Sequence, residues 1–310
     1  MKRIHYLATA ADDGRLLRDV ITSRMDVSKR LMKRCKAHPQ GILVNGERRT
    51  VRYIVRAGDD ISLAMAPSLE ESDIIHETNP LTVVYEDDML LVVDKPPGVT
   101  MFPRRRGERG SLAGAVLAHL EAQGEACTFH PVSRLDIGTS GLVLLAKNSF
   151  AAGVLSRQRA QKYYQCFAFG RLSSPLSLNG AICEAPEALR HSAGPLFYVG
   201  SGGKASRTHV WPLAYVEALR ATACWVRIDT GRRHQIRIHL AHQGHPLIGD
   251  VTYGGPPIAA ARPLLHAAAL TYQHPDDGRL MHHFLPMHTY SNEPDAIMIK
   301  EFLEDHSEMR

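Results

Sequence analysis

From residue 81 onward the chain is a succession of short apolar runs broken by turn residues: LTVVYEDD, MLLVVDKP, GLVLLAK, YYQCFAFG and ACWVRIDT. Runs of this length read as strands, and the helical stretches between them follow no regular β-α repeat. That pattern specifies an α+β fold in preference to a doubly wound one. No apolar run approaches the roughly 20 residues of a membrane helix. The N-terminus lacks an apolar core followed by a small-residue cleavage site. The five cysteines, Cys35, Cys127, Cys166, Cys183 and Cys224, are scattered without a C-x-x-C pair. A soluble cytoplasmic protein without disulfides or a zinc framework is expected.

Charge divides the chain unevenly. Residues 1–65 hold fourteen Lys or Arg and seven Asp or Glu, a net +7 against +5 for the whole chain, so the remainder sums to −2. A small basic module joined to a nearly neutral body suggests that the module meets a polyanion. Leu16, Leu17, Val20 and Ile21 mark one short helix. Ser28 is placed to cap a second, SKRLMKRCKAH, with Leu31, Met32 and Cys35 on one face. Lys29, Arg30, Lys33 and Arg34 form a cationic ridge on its other side, suited to RNA phosphates, which fix register and affinity but carry little sequence information. Next, ILVNG and VRAGDDISL alternate apolar and polar residues around the Asn45-Gly46 and Gly58-Asp59 turn signals.

GRLLRDVI, SKRLMKRCK, ILVNG and VRAGDDISL together resemble the alpha-L RNA-binding domain found in one small-subunit ribosomal protein and in several RNA-modifying enzymes. The expected organisation is therefore a small RNA-binding domain of helices and hairpins over 1–65, an acidic, proline-bearing linker over 66–80, and a catalytic domain over 81–310.

The segment HPVSRLDIGTSGLVLLAKN, residues 130–148, carries the strongest chemical signal. Asp136 sits at a glycine-bounded turn beside Arg134, Thr139 and Ser140, where a carboxylate can be held in one orientation as nucleophile or base. An isolated Asp there more often caps the turn through backbone amides. Its neighbours decide otherwise: Arg134-Leu135-Asp136, Thr139-Ser140-Gly141-Leu142 and Ala146-Lys147 resemble the central motif of RluA-type pseudouridine synthases. Three further segments match in order. YEDDMLLVVDKPPGV resembles the family's opening strand pair and K-P-x-G turn, KYYQCFAFG its K-x-Y motif, and DTGRRHQIRIHLAHQGHPLIGDVTYGG its T-G-R-x-H-Q-I-R-x-H and G-D-x-x-Y-G motifs. Two departures stand out, with Ser133 and Phe102 where the family most often has histidine.

The resemblance implies a pseudouridine synthase fold, a mixed and mostly antiparallel sheet with flanking helices, and a reaction needing no cofactor. In that reaction uracil detaches from the ribose anomeric carbon, rotates and rejoins through carbon 5. It implies Asp136 as the reacting group, Arg237 as its partner, and Tyr164 stacked on the uracil and assisting the final proton removal. Arg134, Thr139, Lys95, Arg232, His234 and Gln235 are expected to contact substrate. The partner is RNA, ribosomal RNA ahead of transfer RNA, and a monomer is the default state. Two rival readings exist: a non-catalytic ribosome-assembly protein on the same fold, and a metal hydrolase built on His234, His239, His242 and His245. The second lacks an H-E-x-x-H pattern, so no metal is expected.

Overall fold

The computed structural model describes residues 3–287, apart from 26, 28–30, 33–34, 37, 65–73, 106, 126–128, 159, 186–196 and 259–261. Its first part comprises β1 (Arg3–Leu7), α1 (Leu17–Ser23), β2 (Ile42–Val44), β3 (Glu47–Arg48) and β4 (Asp60–Ala64). The strands form a four-stranded antiparallel sheet of order β1-β4-β2-β3. Asn45 and Gly46 have φ of 53° and 81°, the two positive values that a tight turn between right-twisted strands requires. Leu17, Val20 and Ile21 of α1 pack with Val44, Ile61 and Leu63. Leu31 and Cys35 are helical and join that core, as their common face predicts. Lys29, Arg30, Lys33 and Arg34 lie outside the described residues.

Within the expected linker, Ile74 packs on the main core, and the Glu77 carboxylate accepts the Gly110 amide at 2.7 Å. Gly114 lets the chain approach: a Cβ there would stand 2.5 Å from the Ile75 carbonyl oxygen. The end of the linker is thus fastened to the body that follows.

That body consists of β5 (Thr82–Glu86), β6 (Leu90–Lys95), α2 (Leu112–Ala122), β7 (His130–Pro131), β8 (Ser140–Ala146), α3 (Ser149–Gln158), β9 (Gln161–Phe169), β10 (Leu176–Asn179), β11 (Ile182–Glu184), β12 (Phe197–Val199), β13 (Arg207–Val216), β14 (Ala221–Ile228), α4 (Gln235–His242), β15 (Leu265–Gln273) and β16 (Leu280–Phe284). Ten strands form one sheet along β10-β13-β14-β9-β15-β8-β6-β5, with β16 on β15 and β7 on β8; β11 and β12 pair separately. Every pairing in the large sheet is antiparallel except β15 with β8. The expected mixed, mostly antiparallel sheet is the observed one.

Strand β6 is buried on both faces, which explains its unbroken apolar run. Leu91 and Val93 meet Leu112, Val116 and Leu120 of α2. Leu90 and Val92 meet Ala151 and Leu155 of α3. At the parallel seam, Gly141 (φ 106°) pairs with Ala267, and a Cβ on it would stand 2.4 Å from the Ala267 carbonyl oxygen. Beside it the buried Ser140 Oγ and His266 Nδ1 are 3.0 Å apart.

Candidate active site

Asp136 sits in the turn between β7 and β8, closed by the Thr139 amide donating to the Asp136 carbonyl at 3.0 Å. A second turn braces the first, with the Gly98 amide donating to the Ile137 carbonyl at 2.7 Å. Lys95 Nζ donates to the carbonyls of Pro96 at 2.8 Å, Val99 at 3.0 Å and Ile137 at 3.4 Å. The Lys-Pro-Pro-Gly turn and the Asp136 turn are therefore one braced unit. Burial pushes the Lys95 pKa down to about 8, with Asp136 opposing. Lys95 was expected to face substrate; its side chain is fully buried and bonded to three carbonyls, so it holds the loop instead.

The Asp136 side chain borders a cavity of about 200 Å³, whose walls include Arg134, Thr139, Lys162, Tyr164, Arg232 and His234. Strand β9 places Tyr164 there, level with Val226 of β14 and Ala267 of β15. Burial raises the Tyr164 pKa and the Asp136 charge adds to it, so the phenol stays protonated. The Thr139 hydroxyl is buried and, among the described residues, has no hydrogen-bond partner.

Arg237 Nη1 comes within 3.8 Å of Asp136 Oδ2, as does His234 Nε2. The main partner of Arg237 is another carboxylate: Nε and Nη2 each donate to an Asp250 oxygen at 2.7 Å. This planar two-point grip fixes the guanidinium with its remaining edge toward Asp136. Burial opposes the Arg237 charge, but Asp250 outweighs it and the pKa is raised. Tyr253 closes the group, its ring 5.0 Å from the guanidinium and its hydroxyl 2.9 Å from His234 Nδ1. His234 caps α4 in the left-handed region at φ 55°. Burial lowers its pKa despite Asp136, and Arg237 and Arg233 lower it further. Asp250 and Tyr253 were not among the expected site residues, although both stand in the G-D-x-x-Y-G motif.

The other expected contacts divide. Arg134 is exposed, and Arg232 is exposed with Nε 3.3 Å from the Ala205 carbonyl; both line the cavity. Gln235 also lines it, but its amide is engaged internally. Its oxygen accepts from Thr230 Oγ1 and the Arg232 amide, and its nitrogen donates to the Arg207 carbonyl and Thr208 Oγ1. Gln235 locks the start of α4. Ser133 is buried and its Oγ accepts the amide of Leu144 in β8 at 3.0 Å. Phe102 packs edge-on against Phe129, ring centroids 5.0 Å apart. Nor do the four histidines converge. His239 meets Thr208 and Ser206, and His245 meets the Phe169 carbonyl. Among the described residues no group of three or more His, Cys, Asp or Glu is placed to hold a metal.

The sequence and the fold resemble those of known proteins. Residues 89–242 match the RNA pseudouridylate synthase family model. Over 271 residues, 81% of this chain and 80% of the relative, the sequence is 32% identical to ribosomal large subunit pseudouridine synthase D of Pasteurella multocida. It is 31% identical over 256 residues, 81% of this chain and 88% of the relative, to the RNA pseudouridine synthase YjbO of Bacillus subtilis. Among solved structures, human RNA pseudouridylate synthase domain containing 1 matches with a TM-score of 0.55 at 26% identity, covering 68% of this chain and 85% of the human one. The chain belongs to the RNA pseudouridine synthase family and is an RNA-modifying isomerase of the RluA type. No helix among the described residues is long and apolar enough to cross a membrane.

Proposed function

We propose that this enzyme isomerises uridine to pseudouridine in large-subunit ribosomal RNA, with Asp136 as the reacting carboxylate. The observation that carries the assignment is that Asp136 and Tyr164 line one small cavity while Arg237 stands 3.8 Å from the Asp136 carboxylate. A uridine in a helix is out of reach, so the target enters unpaired or flipped out, at a cost of a few kcal/mol. Asp136 acts on the sugar–base system as nucleophile or base, and Arg237 orients it from the Asp250 grip. The Tyr164 ring, protonated at neutral pH, stacks on the detached uracil as a flat wall. The orphan Thr139 hydroxyl supplies a polar contact to the bound nucleotide. Support for the ribosomal target comes from relatives in several bacteria that carry the name ribosomal large subunit pseudouridine synthase D.

The N-terminal part is assigned the role of RNA clamp, as a domain over residues 1–65. Besides the cationic ridge expected on its second helix, it holds a cavity of about 470 Å³ lined by Lys36, Arg48, Arg49 and Arg52 over an apolar floor that includes Ile42 and Val51. Such a surface suits phosphates rather than base edges.

The test is carbodiimide mapping of pseudouridine in ribosomal and transfer RNA from cells with and without the gene, with rescue by unaltered protein or by Asp136→Ala. A large-subunit site that disappears on deletion and returns only with the unaltered protein is expected. A site lost from transfer RNA alone would overturn the target, and rescue by Asp136→Ala would overturn the catalytic assignment.

A further inference from the structure

Breaking the bond between uracil and ribose leaves electrons on the base, and a carboxylate cannot stabilise them. A hydrogen-bond donor or a cation at the ring's carbonyl oxygens does so, and few cations at this cavity are available. Arg237 is gripped by Asp250, with its remaining edge toward Asp136. Lys95 is enclosed by three carbonyls. Burial holds His234 toward its neutral form. Arg134 and Arg232 are exposed, where water screens their charge.

Lys162 is different. It stands two residues before Tyr164 on β9, so strand alternation puts both side chains on the face that lines the cavity. It is partly buried, and among the described residues its ammonium has neither a hydrogen bond nor an ion pair. Burial lowers its pKa, and no neighbouring charge offsets that effect. An ammonium withdrawn from water without a counter-charge costs stability, and a binding site recovers that cost when negative charge arrives.

We propose that the Lys162 ammonium hydrogen-bonds a ring carbonyl oxygen of the target uracil and stabilises the charge that the base acquires as its bond to ribose breaks. The inference rests on the reading of the Asp136 cavity as the active site. In the step, the bond from N1 to C1′ breaks and its electron pair passes to the ring, delocalised onto the carbonyl oxygens. The ring then turns and C5 bonds to C1′; the proton lost from C5 is balanced by one gained at N1. Lys162 keeps its proton throughout, acting as a preorganised electrostatic partner.

The experiment uses total RNA from cells lacking the gene, grown on uridine tritiated at carbon 5, and reads tritium release under single-turnover conditions. Full-length wild type, Asp136→Asn, Lys162→Met and Lys162→Arg are compared, with RNA affinity and melting temperature measured alongside. Lys162→Met is expected to lose about 100-fold in rate, with RNA affinity unchanged and melting temperature equal or higher, while Lys162→Arg recovers part of the rate. Lys162→Met at the wild-type rate beside an inactive Asp136→Asn overturns the role of Lys162 alone. So does a loss that lies wholly in RNA affinity or follows a fall in melting temperature. Turnover by Asp136→Asn overturns the reading of the site itself.

Discussion

A buried arginine gripped by one carboxylate and aimed at another makes Asp250 as consequential as Arg237. Removing the Asp250 carboxylate leaves a guanidinium enclosed without its counter-charge, a change that costs about 3–5 kcal/mol. Asp250→Ala is therefore expected to be strongly destabilised in urea unfolding and inactive. Replacing the pair together, Arg237→Met with Asp250→Leu, should recover most of the stability and none of the activity. Lys95 makes a second prediction, through pH. Its pKa of about 8 in the folded protein lies below the ordinary 10.5. Below about 8 the folded state carries the whole penalty of the buried ammonium. As pH rises toward 10.5 the folded form sheds that proton before the unfolded chain does, and stability rises. Urea unfolding across this window should show wild type gaining on Lys95→Met; a constant difference would refute the burial of a charged Lys95. That Asp136 would lie near Tyr164 and Arg237 was legible in the sequence, because each stands at a fixed place in a motif. The burial of Lys95 was not, because a lysine beside a Pro-Pro-Gly turn is ordinarily a solvated side chain. Nor was the Asp250 grip, since thirteen positions and a loop separate it from Arg237.

At the scale of elements, the Asn45-Gly46 hairpin follows from local pattern, and the five apolar runs became β5, β6, β8, β9 and β14, while β10, β13, β15 and β16 lie outside those runs. The order of strands does not follow locally, because β15 reaches its neighbours only through the assembled sheet. Gly141 is the tightest expression of that order. Its positive φ and the close approach of the Ala267 backbone leave no room for a side chain. Gly141→Ala is expected to force β8 from β15 and displace the Asp136 turn five residues upstream. The checks are a lowered midpoint in thermal unfolding and a fall in turnover beyond what the lost stability explains. A variant with wild-type melting and turnover would mean that the seam is looser than its geometry requires.

For the whole molecule, the uneven charge along the chain has a measurable correlate. If Lys36, Arg48, Arg49 and Arg52 each meet a phosphate, deleting residues 1–70 removes four contacts. The dependence of log Kd on log salt should then flatten by about 3, since each contact contributes roughly 0.7–0.9. RNA binding should weaken while the fold of the remaining body, followed by circular dichroism, is retained. An unchanged salt slope would assign the basic surface no part in RNA contact. The excess of positive charge over residues 1–65 was legible from composition. How the clamp's own cationic surface is built was not, because Arg48, Arg49 and Arg52 gather beside Lys36 only through the fold of the hairpin.

The place of β15 in the sheet also governs when the enzyme comes into being. In the sheet β15 lies between β8, which follows Asp136, and β9, which carries Tyr164, and Ser140 meets His266 across 126 residues of sequence. A nascent chain that has not yet released residues 265–273 holds two half-sheets without the seam that brings acid and aromatic together. Pairings of such long range also form slowly. Emergence of that strand from the ribosome is therefore expected to complete the sheet, and shorter translation products are expected to be silent on RNA.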